Sequence, residues 1–262
     1  GGRIDRWRIT DGELVERLID GPLTRDDAYP DRSGWLPTAR ASIVYSITPA
    51  VDARIAVYSG WRLPTLNELF RPFRAGPDAT AANALLDPEK LSGGEVGVRY
   101  RRSGVELAAT AFMNRLSDAI ANVTLGSGPG TFPGVGFVAG DYRQRRNLDA
   151  IRVRGVEASA SFSHGFWSAD LGASLTRPRV ESGGAAVDLN GLRPAQTPNL
   201  VLTAGLGWED RGRTATILLR HAGNQFEDDR NEVRLPPATT LDAFFAWPLS
   251  DRLQWIARGE NL

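Results

Sequence analysis

Apolar and polar residues alternate along most of the chain with a period of two. Val105, Leu107, Ala109, Ala111 and Met113 interleave with Glu106, Ala108, Thr110, Phe112 and Asn114. Trp167, Ala169, Leu171, Ala173 and Leu175 interleave with Ser168, Asp170, Gly172, Ser174 and Thr176, and Leu200–Trp208 and Val51–Val57 follow the same rule. A two-residue period places one set on each face of a strand. No stripe of 3.6-residue period competes with it.

This alternation predicts eleven strands, at 2–9, 35–47, 51–60, 91–101, 104–116, 146–162, 166–178, 198–208, 213–221, 238–247 and 253–262. The connections between them alternate in length. Short ones fall at Thr48–Ala50, Arg102-Ser103, Ser163–Gly165, Glu209–Gly212 and Pro248–Arg252; long ones run over 10–34, 61–90, 117–145, 179–197 and 222–237. Short turns at one end and long loops at the other is the layout of an outer-membrane barrel. A strand of about ten residues tilted near 45° rises roughly 25 Å, which matches the apolar band such a barrel needs.

Aromatic placement points the same way. Tyr100, Phe162, Phe166, Trp167, Trp208, Trp247 and Trp255 all lie close to a short turn. On one rim they form a belt at the lipid–water interface, where an amphipathic ring is stable. Trp35, Tyr58 and Trp61 lie near the long-loop ends and suit the opposite belt. The apolar set is expected to face outward, and the set of Ser, Thr, Gly, Arg, Asp and Glu inward around a wet interior. The phase slips once. Ile151 and Val153 occupy one parity, Val156, Ala158, Ala160 and Phe162 the other. Either a bulge at Arg154-Gly155 or a strand that begins only at Gly155 accounts for it.

Composition narrows the function classes. The 262 residues carry 31 basic and 31 acidic side chains, so a nucleic-acid partner, which calls for a basic excess, is not expected. There is no Cys, so disulfides and thiolate metal sites are excluded. No apolar run is long enough for a spanning helix, a criterion that leaves spanning strands untouched.

Five short motifs then resemble TonB-dependent outer-membrane receptors. Arg62-Leu63-Pro64-Thr65-Leu66-Asn67-Glu68-Leu69 resembles that family's Arg-x-Pro-Thr-x-x-Glu-Leu segment, and Asn83 with Leu86 and Pro88-Glu89 resembles the element that follows it. Gly155-Val156-Glu157, Pro194–Pro198 and Glu260-Asn261-Leu262 resemble three later elements, in order. The resemblance implies an all-β, antiparallel up-and-down transmembrane β-barrel, in which these eleven strands are part of a 22-stranded wall. Residues 1–262 are then one partial barrel domain, with the plug and the last strand expected outside this sequence. It also implies residence in the bacterial outer membrane, with membrane lipid, the TonB complex (through the plug) and a ferric chelate or similar small solute as partners.

Other chemistry has little support. The two histidines, His164 and His221, fall at seemingly opposite rims, and neither a His-Glu-x-x-His nor a Gly-x-Ser-x-Gly pattern occurs, so no hydrolase is expected. Gly126–Gly136 lacks the Gly-Lys-Ser/Thr ending of a phosphate loop and reads as a mobile outer loop. Glu227-Asp228-Asp229 lacks calcium-loop spacing and reads as a solvated acidic loop. Neither a cofactor nor a resident metal is expected. Arg143, Arg145, Arg146, Arg152 and Arg154 form a basic run into a strand; turned inward, they either attract an anionic ligand or pair with carboxylates such as Asp149 and Glu157. The loop 61–74 mixes amide, aromatic and charged groups, as recognition loops on rigid scaffolds do. Asn67, Arg71, Phe73, Arg74, Arg143 and Arg145 are therefore the candidate ligand contacts, while Pro64 and Glu68 read as architectural. The expected function is uptake of a scarce solute, such as a ferric siderophore or cobalamin. A passive porin-like channel and a soluble β-propeller or sandwich are the alternatives.

Overall fold

The computed structural model describes residues 1–262 except Leu18 and Asp20. Its wall is eleven long strands: β1 (Gly2–Ile9), β2 (Arg32–Thr48), β3 (Val51–Arg62), β4 (Glu89–Arg102), β5 (Val105–Ser127), β6 (Asp141–His164), β7 (Trp167–Glu181), β8 (Leu200–Asp210), β9 (Arg213–Ala222), β10 (Ala238–Ser250) and β11 (Leu253–Gly259). Each pairs antiparallel with the next in chain order, β1 through β11, as an up-and-down sheet requires. The sheet is one sector of a barrel and does not close: β1 and β11 are its two ends.

The five short connections are all two-residue turns. In two of them, Ser103-Gly104 and Arg211-Gly212, both residues have positive φ, the mirror-image turn whose twist matches that of the flanking strands. The long connections carry structure of their own. Gly12–Arg17 pairs with Leu23–Tyr29, and Gln225-Phe226 with Arg234-Leu235. The expected loop 117–145 is mostly wall. β5 and β6 pair from Phe162–Val105 up to Asp141–Ser127, and only a small hairpin, Gly130–Phe132 with Gly136–Val138, caps them. Alternation misses this extension because the upper part is covered by loops on both faces, so polarity there no longer tracks one wet and one dry side.

Register settles the faces. Ile55, Val96 and Ala111 lie side by side on β3, β4 and β5, and Val156, Leu175, Leu200 and their neighbours continue the apolar face. Many of these side chains are exposed, among them Ile55, Val96, Met113, Leu171 and Leu206. The other face carries Thr110, Glu157, Ser159, Gly172, Ser174 and Thr203 around a polar hollow. Tyr100, Phe162, Trp167, Trp208, Trp247 and Trp255 share the apolar face at the short-turn end, with Trp167 opposite Trp208 and Trp247 opposite Trp255. At the other end Trp35 lies on the outer parity with Arg6 stacked over its ring, and Trp61 shares the parity of Ile55 and Val57. Tyr58 is a correction: it lies on the inner parity and donates to Asn114 Oδ1 at 2.9 Å. Trp61 donates to Asp5 at 3.3 Å.

The phase slip has a different origin from either expectation. The ladder from β6 to β5 and β7 runs without a register shift past Arg154-Gly155, and the one irregularity in β6 is higher, between Tyr142 and Arg143. β6 keeps its faces; the polarity of its surroundings changes. Below Arg154 the outer face is apolar, at Val156, Ala158 and Ala160. Above it the outer face carries Arg154 and Arg152, and the apolar Val153 and Ile151 turn inward beside Pro178 and Val180. Gly155 has a separate reason: a Cβ there would lie 2.6 Å from the Phe112 ring on β5.

The face assignment has a direct test. Leu202→Arg, in a full-length receptor refolded into lipid, is expected to lower folded stability by about 2–4 kcal/mol, the cost of a charge on a lipid face near mid-band. Thr203→Arg, its inward neighbour, is expected to fold as the unmodified protein does. Equal folded fractions for the two, read by heat-modifiable gel migration, would refute the assignment.

Candidate functional site

The two motifs that open the second long connection fold into a single rim network. Thr65 caps a one-turn helix, α1 (Leu66–Phe70). Its Oγ1 accepts from the Glu68 amide at 3.2 Å, and the Glu68 carboxylate accepts from the Thr65 amide at 2.7 Å. The Thr-x-x-Glu spacing is thus a reciprocal capping box. The same carboxylate receives both Arg62 terminal nitrogens, at 2.9 and 3.2 Å. Arg62 Nε reaches Glu89 at 2.5 Å, and the other Glu89 oxygen accepts from the Ile120 amide at 2.7 Å. Arg62 therefore ties α1 to β4 and, through Glu89, to β5. Glu89 is buried, and these two bonds leave neither of its carboxylate oxygens without a partner.

Asn83 closes the network from the second motif. Its amide donates to the Glu68 carbonyl at 3.1 Å and its side-chain nitrogen to the Arg145 carbonyl at 3.0 Å. Leu69 and Leu86 are buried beneath. Desolvation works to raise the Glu68 carboxyl, but the Arg62 and Thr65 hydrogen bonds outweigh it and hold the group below the ordinary Glu range.

The six candidate residues separate by position. Arg71, Phe73 and Arg74 are exposed and converge on a cavity of about 940 Å³, which Arg25, Glu16 and Gly134–Gly136 also line. Arg74 donates to the Val135 carbonyl, and Arg25 to Gly134 at 3.3 Å while pairing with Asp27 at 2.5 Å. Asn67 stands exposed on α1. Arg143 is held between Asp78 at 3.0 Å and Asp141 at 2.9 Å. Arg145 is buried; it donates to the carbonyls of Asn67 at 2.5 Å and Arg71 at 2.7 Å, with its guanidinium 5.3 Å from the Phe73 ring. Arg145 thus presents the loop whose outer residues face the cavity. Of the basic run, Arg143 pairs with Asp78 and Asp141 and Arg152 with Glu181, rather than with Asp149 or Glu157.

Arg25 and Glu16 escape sequence reasoning. They sit in the first long connection, far from the motifs, and only the Gly21-Pro22 turn signal marks a hairpin there. In the acidic stretch, Asp229 accepts from the Thr124 amide and hydroxyl, both at 2.7 Å, and Asp228 from the Glu232 and Val233 amides. Asp229 thus fastens the last long connection onto β5, while Asp228 braces that connection from within.

Comparison with known proteins now decides the family. The model of the TonB dependent receptor-like β-barrel matches residues 1–262. This chain belongs to that family. Its members are receptors and transporters of the bacterial outer membrane. The vitamin B12 transporter BtuB of Vibrio vulnificus (strain YJ016) is 27% identical over 159 residues, 60% of this chain and 22% of that protein. Among solved structures, the copper transporter OprC superposes with a TM-score of 0.72 at 19% identity, over 100% of this chain and 39% of its own. The ferric yersiniabactin uptake receptor FyuA of Yersinia pestis gives 0.62 at 19% identity, over 92% and 34%. This chain therefore spans well under half the length of these relatives, and at such identities the structures show the shared fold alone.

The rim network carries a pH dependence whose sign follows from Glu68. A carboxyl held low in the folded state stabilises fully above its ordinary value near 4.3, and that contribution is lost as pH falls through the depressed folded value. Amide exchange at Thr65 and Leu69, corrected for intrinsic rate, should therefore stay slow at pH 6 and speed up as pH drops below about 4. In Glu68→Gln it should already be fast at pH 6. Identical exchange in both proteins across that range would remove Glu68 from the role given it.

Proposed function

We propose that this chain is the ligand-facing barrel portion of an outer-membrane receptor that takes up a scarce solute, such as a ferric siderophore or cobalamin. The observation that carries this reading is the cavity at the long-connection end, where Arg71, Phe73 and Arg74 stand on a loop held by the rim network. Arginines on a preorganised loop attract an anionic chelate and donate to its oxygens in a fixed fork. Phe73 adds an apolar surface for the organic part of such a ligand. Asn67 flanks this group, and Arg143 and Arg145 act from behind by fixing the strands and carbonyls that carry it. Residence in the outer membrane and energising by TonB through a plug domain belong to the same proposal. Family membership supports both, and the apolar outer face with its aromatic belt supports the first.

In the full-length receptor, Arg71→Ala with Arg74→Ala is expected to weaken binding about tenfold or more, since each hydrogen bond to a charged group contributes roughly 1.5–3 kcal/mol. The measurement is binding of a panel of ferric siderophores and cyanocobalamin to purified receptor. A double variant that binds its cargo as the unmodified receptor does would sink this assignment of contacts.

Orientation is tested independently, and the absence of Cys in this chain makes labelling clean. In an otherwise cysteine-free full-length receptor, Val187→Cys should react with an impermeant maleimide on intact cells. Ser163→Cys, at the short-turn end of β6, should react only once the outer membrane is opened. The reverse pattern would place the cavity on the periplasmic side and end its role in ligand capture.

A further inference from the structure

The polarity inversion on β6 is part of a wider feature. Arg152 lies directly opposite Arg115 on β5 and Arg179 on β7, so three arginines stand in one rank across three neighbouring strands. One rung nearer the short turns, Arg154 lies between Met113 and Arg177. All five arginines share the parity of the apolar outer face, with Ala111, Val156 and Leu175 on the next rung below. Adjacent strands are about 4.8 Å apart, so the rank sets like charges on directly neighbouring backbone positions. Like charges directly opposite each other destabilise a sheet, and a rank of them calls for an anionic partner.

Among the described residues, one carboxylate pairs with these arginines. Glu181 takes Arg115 through one oxygen and Arg152 through the other, both at 2.5 Å. Arg154, Arg177 and Arg179 are exposed and have no ion-pair partner among the described residues. Five cations against one anion leave a formal excess of four positive charges on a patch about two strand spacings wide. A two-residue step along a tilted strand is worth roughly 5 Å of height, so the patch begins where the apolar face ends. It faces away from the hollow and from the cavity that Arg71 and Arg74 line.

We propose that this outward patch binds a membrane lipid headgroup bearing more than one phosphate. Guanidinium forks match phosphate oxygens two at a time, and the width of the patch suits two such groups. A soluble anion gains only the charge; a lipid seats its phosphates on the arginines and its acyl chains on Ala111, Val156 and Leu175 below. Apolar rungs directly under the cations therefore favour the lipid. This lipid would offset the repulsion within the rank and hold β5, β6 and β7 at a fixed depth, beneath the loops that form the cavity.

The proposal rests on the outer-membrane placement given above, and its test separates the two. Full-length receptor is stripped of lipid, reconstituted into zwitterionic nanodiscs and titrated with diphosphoryl lipid A. Binding is expected, and Arg154→Gln with Arg177→Gln and Arg179→Gln should weaken it about tenfold or more, whereas Arg99→Gln on the inner face should leave it unchanged. Monophosphoryl lipid A should bind more weakly than the diphosphoryl form. A triple variant that inserts and binds lipid A like the parent overturns the proposal alone; an unmodified receptor that fails to insert overturns the membrane placement. Inorganic phosphate competing as effectively as lipid A would overturn the lipid as the occupant. Chemical modification of the unmodified receptor needs no variant: diphosphoryl lipid A, but not zwitterionic lipid, should protect Arg154, Arg177 and Arg179 from phenylglyoxal. Equal modification under both conditions would also refute the site.

Discussion

The antiparallel ladder from β1 to β11 is the constraint on which the remaining structure depends. A strand in hydrocarbon has no water to satisfy its amides and carbonyls, so every one of them must find a neighbouring strand. Sequential pairing through two-residue turns meets that demand with little connecting chain, and it forces each strand to present one face to either side. The apolar face, the polar hollow and the aromatic rim all follow from this single arrangement, because parity is inherited across each hydrogen-bonded pair. One mispaired register would turn a whole row of leucines inward.

Above the apolar band the problem changes. Strands no longer have lipid on one side, and connections of many residues must be fixed without a large core. The chain solves this with a few charge-assisted bonds at high convergence. Arg62 holds two carboxylates, Glu89 holds a side chain and a backbone amide, and Arg145 holds two carbonyls of the loop it supports. A small apolar cluster of Ala119, Val123, Leu148, Val180, Ala186 and Leu189 packs beside them. Such an arrangement fixes the backbone of the cavity-facing residues from behind.

The two halves meet at the rung of Arg154. There the outer face passes from apolar to cationic and the inner face from polar to apolar, within one unbroken strand. On the proposed outer-membrane placement, the change matches the medium on each side of the wall: lipid outside and a wet hollow inside below, polar surroundings outside and packed side chains such as Pro178 and Val180 inside above. The charge on this rung is uneven around the wall. It gathers on β5, β6 and β7, of which β5 and β6 are the two longest strands of the wall.

All eleven wall strands and the sorting of turns by length were legible in the sequence, because a period of two between a wet and a dry side is written into every strand that crosses the band. The rim motifs were legible as architecture too, since Thr65-x-x-Glu68 is a local capping geometry that three residues suffice to specify. What the sequence could not decide was everything set by pairing between distant segments. Arg62 meeting Glu89, Arg145 reaching back to Asn67, and Arg25 arriving beside Arg74 depend on register and loop path, which leave no local trace. The reach of β5 and β6 beyond Leu116 and Arg146 was hidden because covered strands lose their alternation. Tyr58 and the arginines of β6 looked interchangeable with their neighbours in composition. Only the ladder, by fixing parity strand against strand, decided that Tyr58 faces in and that Arg152 and Arg154 face out.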